Sequence, residues 1–152
     1  MRRISLSFLA IAGCALAGVT GLASANTFAI TRSVRVFEAH LQESGCGPNK
    51  LCGAGELAGF GRFTTRETIR IVGAPPAAGC FAGIGTRILR LVSEPKSTLR
   101  LAVRGAVCGS RGWGTFKVSS GRGVFAGATG SGVILQSYAG LYLSGVLTLA
   151  GK

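Results

Sequence analysis

The sequence predicts an all-β fold: a small antiparallel β-barrel of about eight strands, closed on itself and stabilised by disulfides. Twenty-two glycines are spread over residues 26–152, and no stretch there keeps a 3.6-residue apolar period for three turns without meeting one. Several segments instead alternate between two kinds of residue and end at turn signals. Many short strands without helices are typical of a sandwich or a barrel, and closure hides strand edges that would otherwise pair with other chains.

The N-terminal segment predicts export. Residues 2–3 are arginines, an apolar run extends over residues 4–22, and Ala23-Ser24-Ala25 supplies the small residues that a signal peptidase accepts. We therefore expect a signal peptide over residues 1–25 and a secreted or periplasmic barrel domain over residues 26–152.

Two other interpretations of this segment remain open. Ile11-Ala12-Gly13-Cys14 resembles the lipobox of bacterial lipoproteins, so lipid anchoring through Cys14 is one alternative. The same apolar run, of about 19 residues, is also long enough to stay as an uncleaved membrane anchor.

The charge balance points to anionic partners. Without Arg2 and Arg3, 15 basic and 5 acidic residues remain, a formal charge of +10. All five acids are glutamates, and the missing aspartates exclude many catalytic templates. A charge this positive favours an anionic envelope surface, although it also serves solubility alone. We expect no specific nucleic-acid partner.

The cysteines predict two disulfides. Four remain after the leader, and four cysteines allow three pairings. Cys46 and Cys52 bracket a turn-rich loop that brings its ends together, and pairing them leaves Cys80 with Cys108. No Cys-x-x-Cys spacing occurs and His40 is the only histidine, so we expect no metal site and no cofactor.

Residues 62–71 give the clearest strand. One face carries arginine and threonine only, and the other carries Phe63, Thr65, Glu67, Ile69 and Ile71. If the second face packs inward, Glu67 lies inside the barrel.

Residues 87–92 and 99–104 read as a hairpin around the turn at residues 94–97. Closing it symmetrically puts the more apolar face inward, and Arg90 belongs to that face; a one-residue bulge would reverse the assignment. The inward set is Ile88, Arg90, Val92, Leu99, Leu101 and Val103.

Three further strands are expected at residues 115–118, 132–137 and 141–149, and Gly-x-Gly pairs recur at strand edges, where strongly bent strands turn barrel corners. The glycine-rich stretch over residues 121–132 has the pattern G-x-G-x-F-x-G-A-x-G-x-G, without the lysine-serine or lysine-threonine pair of a P-loop. It resembles the signature of the dirigent and allene oxide cyclase barrel superfamily, and the strand that follows, from Gly140 to Leu149, is similar to that superfamily's last strand. The resemblance implies an eight-stranded barrel with an apolar interior, often trimeric, so a homo-oligomer is among the expected assemblies. Dirigent pockets use aspartates, which this chain lacks, whereas the cyclases place one glutamate among apolar walls.

These observations lead to one functional expectation and two alternatives. The barrel is expected to bind a small apolar ligand in its interior, oriented by Glu67 and Arg90. Glu38 and His40, two residues apart on one strand, are further candidates for ligand binding, and we assign no catalytic residue. The alternatives are a cyclase- or isomerase-like enzyme and a cationic envelope-associated protein that binds anionic polymers.

Overall fold

The computed structural model describes residues 29–41, 46, 50–73 and 77–151, with the backbone alone for residues 35–41. The predicted leader lies outside the described residues. Eight strands account for most of the described chain, together with one 3₁₀ turn at Gly123–Phe125 between the sixth and seventh strands. The strands are β1 (Ile30–Leu41), β2 (Lys50–Leu57), β3 (Gly61–Ile71), β4 (Cys80–Leu91), β5 (Thr98–Cys108), β6 (Arg111–Arg122), β7 (Thr129–Ser137) and β8 (Gly140–Leu149).

The strands form one curled antiparallel sheet. Each strand pairs with the next in sequence, and β8 pairs back onto β1 from Ile30↔Leu149 to Ala39↔Gly140. The all-β class, the number of strands and their antiparallel order are therefore confirmed.

Closure of the sheet is less complete than predicted. On its other side, β1 pairs with β2 only through residues 38–41, so residues 30–37 have no β2 partner and the sheet is open along that part of the seam. The physical reason is length, because β2 has 8 residues and β1 has 12. The turn after β2 approaches β1 instead, where the Arg32 guanidinium lies 5.9 Å from the centre of the Phe60 ring.

One end of the curled sheet is sealed by the segment that links β6 to β7. Phe125 is buried and lies 5.0 Å, centroid to centroid, from Phe60. The Val124 N–H donates to the Ser97 hydroxyl at 3.0 Å, and Ser97 is fully buried. Gly123 has a φ of 62°, and a Cβ there would lie 2.1 Å from the Ser97 hydroxyl oxygen, so this close approach requires glycine.

A second pair of glycines shapes the core. Gly132 on β7 lies directly opposite Gly145 on β8. A Cβ at Gly132 would come within 2.6 Å of the Phe116 ring, and one at Gly145 within 3.0 Å of it. The two glycines thus leave space for the Phe116 ring. The core around it includes Leu57, Phe63, Leu89, Leu91, Leu99, Leu101, Val118, Leu143 and Leu147.

The predicted register of the β4–β5 hairpin is wrong. The predicted register pairs Leu99 with Val92, whereas in the structure Leu99 pairs with Leu89, because the connecting loop spans residues 92–97. That loop is closed by the Leu91 N–H, which donates to the Ser97 carbonyl, and by the Ser97 N–H, which donates to the Glu94 carbonyl. Its length moves the inward face of β4 to Arg87, Leu89 and Leu91, while β5 keeps the predicted inward set.

Both predicted disulfides are present. Cys46 is bonded to Cys52, and Cys80 to Cys108, its direct partner in the β4–β5 register. Two disulfides in a chain of this size indicate an oxidising compartment, extracellular or periplasmic. In the described part of the chain, no helix has the length and hydropathy needed to cross a membrane.

Candidate functional site

The outer side of β3–β6 carries a dense group of cations, which we call the arginine face. Every member is exposed to solvent. Eight of the fifteen basic residues beyond the predicted leader belong to it, and no acidic residue occupies an outward position on these four strands. Arg111, also exposed, lies at the first residue of β6, two residues before Trp113, and is counted outside the arginine face. The members are Arg62, Arg66, Arg70, Arg90, Arg100, Arg104, Lys117 and Arg122.

Strand periodicity explains why these side chains share one side. On β3, Arg62, Arg66 and Arg70 follow one another at intervals of four residues, so the period of two directs all three outward, with roughly 13 Å between successive arginines. On β6, Arg122 follows Lys117 by five positions, and in a regular strand their side chains would point to opposite faces. A β-bulge inserts Ser119 as an extra residue opposite β5, between the pairs Arg100↔Ser120 and Leu101↔Val118. Because of this extra residue, both side chains point outward.

The cross-strand register arranges the cations in rows. Arg66 and Arg100 flank Ile88, and Arg70 and Arg104 flank Ile84, each arginine directly opposite the residue between them. The two arginines of a row are thus two strands apart, about 10 Å at the backbone. The rows form a grid of positive charges on a rigid ladder.

A shallow groove of about 680 Å³ lies between these rows. Its floor is formed by small residues that pair across the strands, Thr68↔Thr86 and Thr86↔Ala102. Arg70, Arg104 and Lys117 line it, and Lys117 pairs directly with Ala102. Three cations around a floor of small side chains leave room for an extended anionic chain.

The cations of this face are not neutralised within the described part of the molecule. Its closest candidate partner is Glu56 on β2, which pairs with Arg62 in the backbone register. Among the described residues, however, the ion pair found is the one between Arg87 and Glu67, on the inner face. No ion pair within the described part of the chain thus involves a cation of the arginine face.

The inner face of the same strands holds that buried ion pair. Glu67 on β3 points inward as predicted and is 5% exposed. Its partner is Arg87 on β4, directly opposite in the register, whose Nη2 donates to Oε2 of Glu67. The predicted partner, Arg90, is wrong: it lies on the arginine face, because the shift in hairpin register exchanged the two faces of β4.

A small cavity of about 60 Å³ lies beside this ion pair, at the mouth opposite the sealed end. Glu67 lines it together with Ile69, Phe81, Val107 and Leu141. Its volume suits about two water molecules or a small apolar group, given roughly 30 Å³ for each water. The apolar core holds only about 20 Å³ of further space, so a guest there would have to displace side chains.

The remaining predicted residues divide into two groups. Phe63 is buried as expected and Ile69 lines the mouth cavity, whereas Ile71 is 66% exposed near the end of β3. Glu38 and His40 lie on β1, but their side chains are outside the described residues. No cluster of three metal-ligating side chains occurs among the described residues.

Two features escaped the sequence-based prediction. The predicted hairpin register leaves Arg87 on the outer side with Leu89 and Leu91, although these three residues alternate as regularly as the predicted inward set of β4. The sequence-based prediction also does not recognise that the outward residues of β3, β5 and β6 form one cationic surface. Arginines recur at four-residue spacing on both β3 and β5, and this repeat is the sequence signal that indicates a shared surface.

Comparisons of the chain with models of protein families, with characterised proteins and with solved structures gave no match. The resemblance to the dirigent and allene oxide cyclase superfamily therefore stays a prediction.

Proposed function

We propose that this protein is an exported cationic module whose arginine face binds linear anionic polymers of an envelope or extracellular matrix. The observation that carries the proposal is the arginine face itself: eight exposed cations on four adjacent strands, with no outward acid among them. A field of one sign over a continuous surface attracts an anionic polymer and raises its association rate.

The chemistry of the side chains favours repeated phosphate or carboxylate groups. Seven of the eight cations are arginines, whose planar guanidinium donates two parallel hydrogen bonds to either kind of anion. Their regular spacing on a rigid ladder suits a chain with charges along its length better than a single compact anion. Because the contacts are ionic, we expect binding to be tolerant of polymer sequence and sensitive to salt.

The test compares two triple variants that carry the same net charge. Arg70→Gln/Arg104→Gln/Lys117→Gln removes the cations of the groove, and Lys50→Gln/Lys96→Gln/Arg111→Gln removes three exposed cations outside the face. Affinity for inorganic polyphosphate of defined length is measured between 50 and 200 mM salt by fluorescence anisotropy of a labelled polymer. We expect the groove variant to lose roughly tenfold or more in affinity, with a salt slope smaller by about two to three.

The control variant distinguishes binding at the arginine face from attraction by the net charge of the whole protein. If the arginine face is the binding site, the control variant loses only about threefold. Equal losses in the two variants would show that net charge alone governs binding, and no measurable binding by the wild type would refute the proposal. Parallel titrations with hyaluronate, polyglutamate and duplex DNA separate phosphate from carboxylate recognition.

A second candidate function is binding of a small apolar group at the mouth, supported by the apolar cavity beside Glu67 and Arg87. In this proposal the sheet acts as a closed barrel, and the ion pair orients a guest that the cavity walls bury. Fluorescent apolar probes test it directly. Retention of a probe by the wild type and its loss in Phe81→Glu, with the fold intact, would support a mouth site; no retention by the wild type would refute it.

Cyclase- or isomerase-like chemistry remains a prediction, and it requires more of the mouth cavity than binding does. It requires a substrate that rearranges once bound and a carboxylate that takes a proton or stabilises positive charge. Glu67 is the inward carboxylate for that role, but it is already engaged with Arg87. Binding at the arginine face needs no such rearrangement, which is why we favour it.

A further inference from the structure

The outer side of β6–β8 carries a group of exposed apolar side chains, which we call the apolar face. Trp113, Leu135 and Tyr142 lie directly opposite one another in the registers of β6, β7 and β8. Val133 occupies the next outward position on β7, and Val146 is an outward residue of β8. The five side chains are between 43% and 56% exposed. A contiguous exposed apolar patch of this kind marks an interaction site.

The aromatic residues on this side of the molecule narrow the choice of partner. The chain has one tryptophan and two tyrosines, and all three lie on β6, on β8 or in the turn between β7 and β8. Trp113 and Tyr142 are about half exposed, and Tyr138, in the turn, is 89% exposed. Rings that combine an apolar body with a polar N–H or O–H are favoured where an apolar medium meets water, as at the boundary of a lipid bilayer.

Cations border the apolar face. Arg111 and Lys117 are exposed on the outward side of β6, two residues before and four residues after Trp113. On the neighbouring strand β5, the exposed Arg104 pairs in the register with the residue midway between Trp113 and Lys117. The apolar side chains are therefore followed on the β5–β6 side by positive charges.

No acidic residue interrupts this border. Residues 95–152, which include β5–β8, contain seven basic residues and no acidic one. On the other flank of β8, Arg35 occupies the β1 register position opposite Ser144. The complementary partner is apolar where the rings contact it and anionic around that contact. An anionic bilayer has this chemistry, because its charged headgroups surround accessible acyl chains.

We infer that the apolar face docks this protein on the surface of an anionic lipid bilayer. Trp113, Leu135 and Tyr142 lie at the level of the headgroups and the upper acyl chains, and the bordering cations contact the lipid phosphates. Since the apolar area is small, attachment is reversible and requires both the apolar contact and the ionic attraction.

An acidic protein is the other partner that would complement these cations. Protein interfaces depend on a surface of matching shape, and their aromatic anchors fill pockets of the partner. A bilayer requires no matching shape and accommodates any row of protruding rings. The placement of every tryptophan and tyrosine of the chain on this one side favours the bilayer.

Trp113 reports on the contact, because it is the only tryptophan and belongs to the apolar face. The full exported chain is mixed with vesicles of phosphatidylcholine alone, or of phosphatidylcholine with about one third phosphatidylglycerol, and co-sedimentation is measured together with tryptophan emission. We expect co-sedimentation with the anionic vesicles only, with a blue shift of the emission and quenching by lipids brominated in their acyl chains. Attachment through the arginine face would leave Trp113 in water. Co-sedimentation without the blue shift and the quenching would therefore overturn the inference.

Two neutral variants test the apolar contact. Leu135→Gln removes an apolar side chain from the centre of the apolar face and keeps every cation. Its matched control, Ile71→Gln, removes an exposed apolar side chain of the same size from β3. We expect Leu135→Gln to lower partitioning onto anionic vesicles by roughly five- to tenfold and Ile71→Gln to stay within about twofold of the wild type. Equal partitioning of Leu135→Gln and the wild type would contradict the inference.

A second pair of variants tests the border of cations. Arg111→Gln removes a cation beside Trp113, and we expect it to lower partitioning by roughly fivefold. The control is Lys50→Gln on β2. Lys50 lies in the same register row as Lys117 but four strands away, about 19 Å along the sheet and thus beyond the screening length at physiological salt. We expect Lys50→Gln to stay within about twofold of the wild type, and equal losses in the two variants would show that only net charge matters.

This docking and the proposed polyanion binding fail separately. Leu135→Gln retains the arginine face, so its affinity for polyphosphate should equal that of the wild type. If the wild-type emission shifts with polyglutamate, or with rising protein concentration, but with neither kind of vesicle, the apolar face binds polypeptide and the inference is wrong. In that case an intact polyphosphate affinity would leave the proposed function standing.

Discussion

Arg87 and Arg90 lie three residues apart on β4 and illustrate how differently the two sides of one strand use the same residue type. Arg87 is 1% exposed and bonded to Glu67 on the inner face. Arg90 is exposed, pairs in the register with Thr64 and belongs to the arginine face. Inside, the guanidinium must be matched by a carboxylate because burying an unpaired charge is costly. On the outer side, water solvates the guanidinium of Arg90, so no carboxylate is required beside it.

The comparison shows where variation is allowed in this fold. The buried inner positions of β3 and β4, among them Phe63, Leu89 and Leu91, pack against other side chains of the core, whereas the cations on the outer side of these strands are exposed to solvent. A cation on the inside is therefore expected to stabilise the fold, and a cation on the outside is proposed to bind a partner. The predictions below separate the two roles.

The largest expected effect is loss of one member of the buried pair. Glu67→Gln or Arg87→Met leaves the other charge buried without its partner, which typically destabilises a protein by about 3–5 kcal/mol. Chemical denaturation of the purified variants measures the change in the free energy of unfolding. Arg90→Met on the outer side of the same strand is the control and is expected to stay within about 0.5 kcal/mol.

Equal destabilisation by Arg90→Met and Arg87→Met would contradict the division between the two sides. The double variant Glu67→Gln/Arg87→Met sharpens it further. Because both charges are removed, we expect the double variant to be more stable than the sum of the two single losses predicts.

Loss of the β4–β5 disulfide should come next. Cys80→Ser/Cys108→Ser opens a loop of 28 residues, which corresponds to about 3.5 kcal/mol of stability in the chain-entropy description. Removing the Cys46–Cys52 bridge opens a loop of only 6 residues and should cost about 2 kcal/mol. Thermal unfolding of the two double variants in the same buffer gives the order.

The bridge at Cys80–Cys108 also tests whether the arginine face needs more than a folded sheet. It joins the two central strands of that face, but their register is held by ladder hydrogen bonds along their whole length. At a temperature where the variant is folded, we therefore expect its affinity for polyphosphate to match that of the wild type. A large loss of affinity would mean that the disulfide positions the cations.

The sequence was sufficient for the parts of this fold that depend on local pattern. Strict alternation on β3 predicts Phe63 and Glu67 on one face and the arginines on the other, and the structure buries the first face and exposes the second. The disulfides followed from cysteine spacing. These features depend on period two or on short loops, which neighbouring residues determine.

The features that were wrong depend on contacts between distant segments. The β4 register follows from a six-residue loop that is closed by Ser97, and Ser97 is buried only because Val124 and Gly123 pack on it from the β6–β7 segment. The open part of the β1–β2 seam follows from the turn at Phe60, which approaches β1 in place of a longer β2. Neither contact is visible in the residues next to it in the chain.

The smallest expected effect distinguishes arginine chemistry from charge on the outer side. Arg104 lines the groove of the arginine face, and Arg104→Lys keeps its charge while it replaces the planar guanidinium with a point donor. If guanidinium groups bind phosphate in bidentate fashion, affinity for polyphosphate falls by roughly two- to fivefold, with an unchanged salt slope because the number of ionic contacts is the same. Arg104→Gln should lower both the affinity and the slope, the slope by about one. Identical affinities for the wild type and Arg104→Lys would show that the outer side of the sheet is read as charge alone, whereas the buried Arg87 on the inner side acts through a specific hydrogen bond.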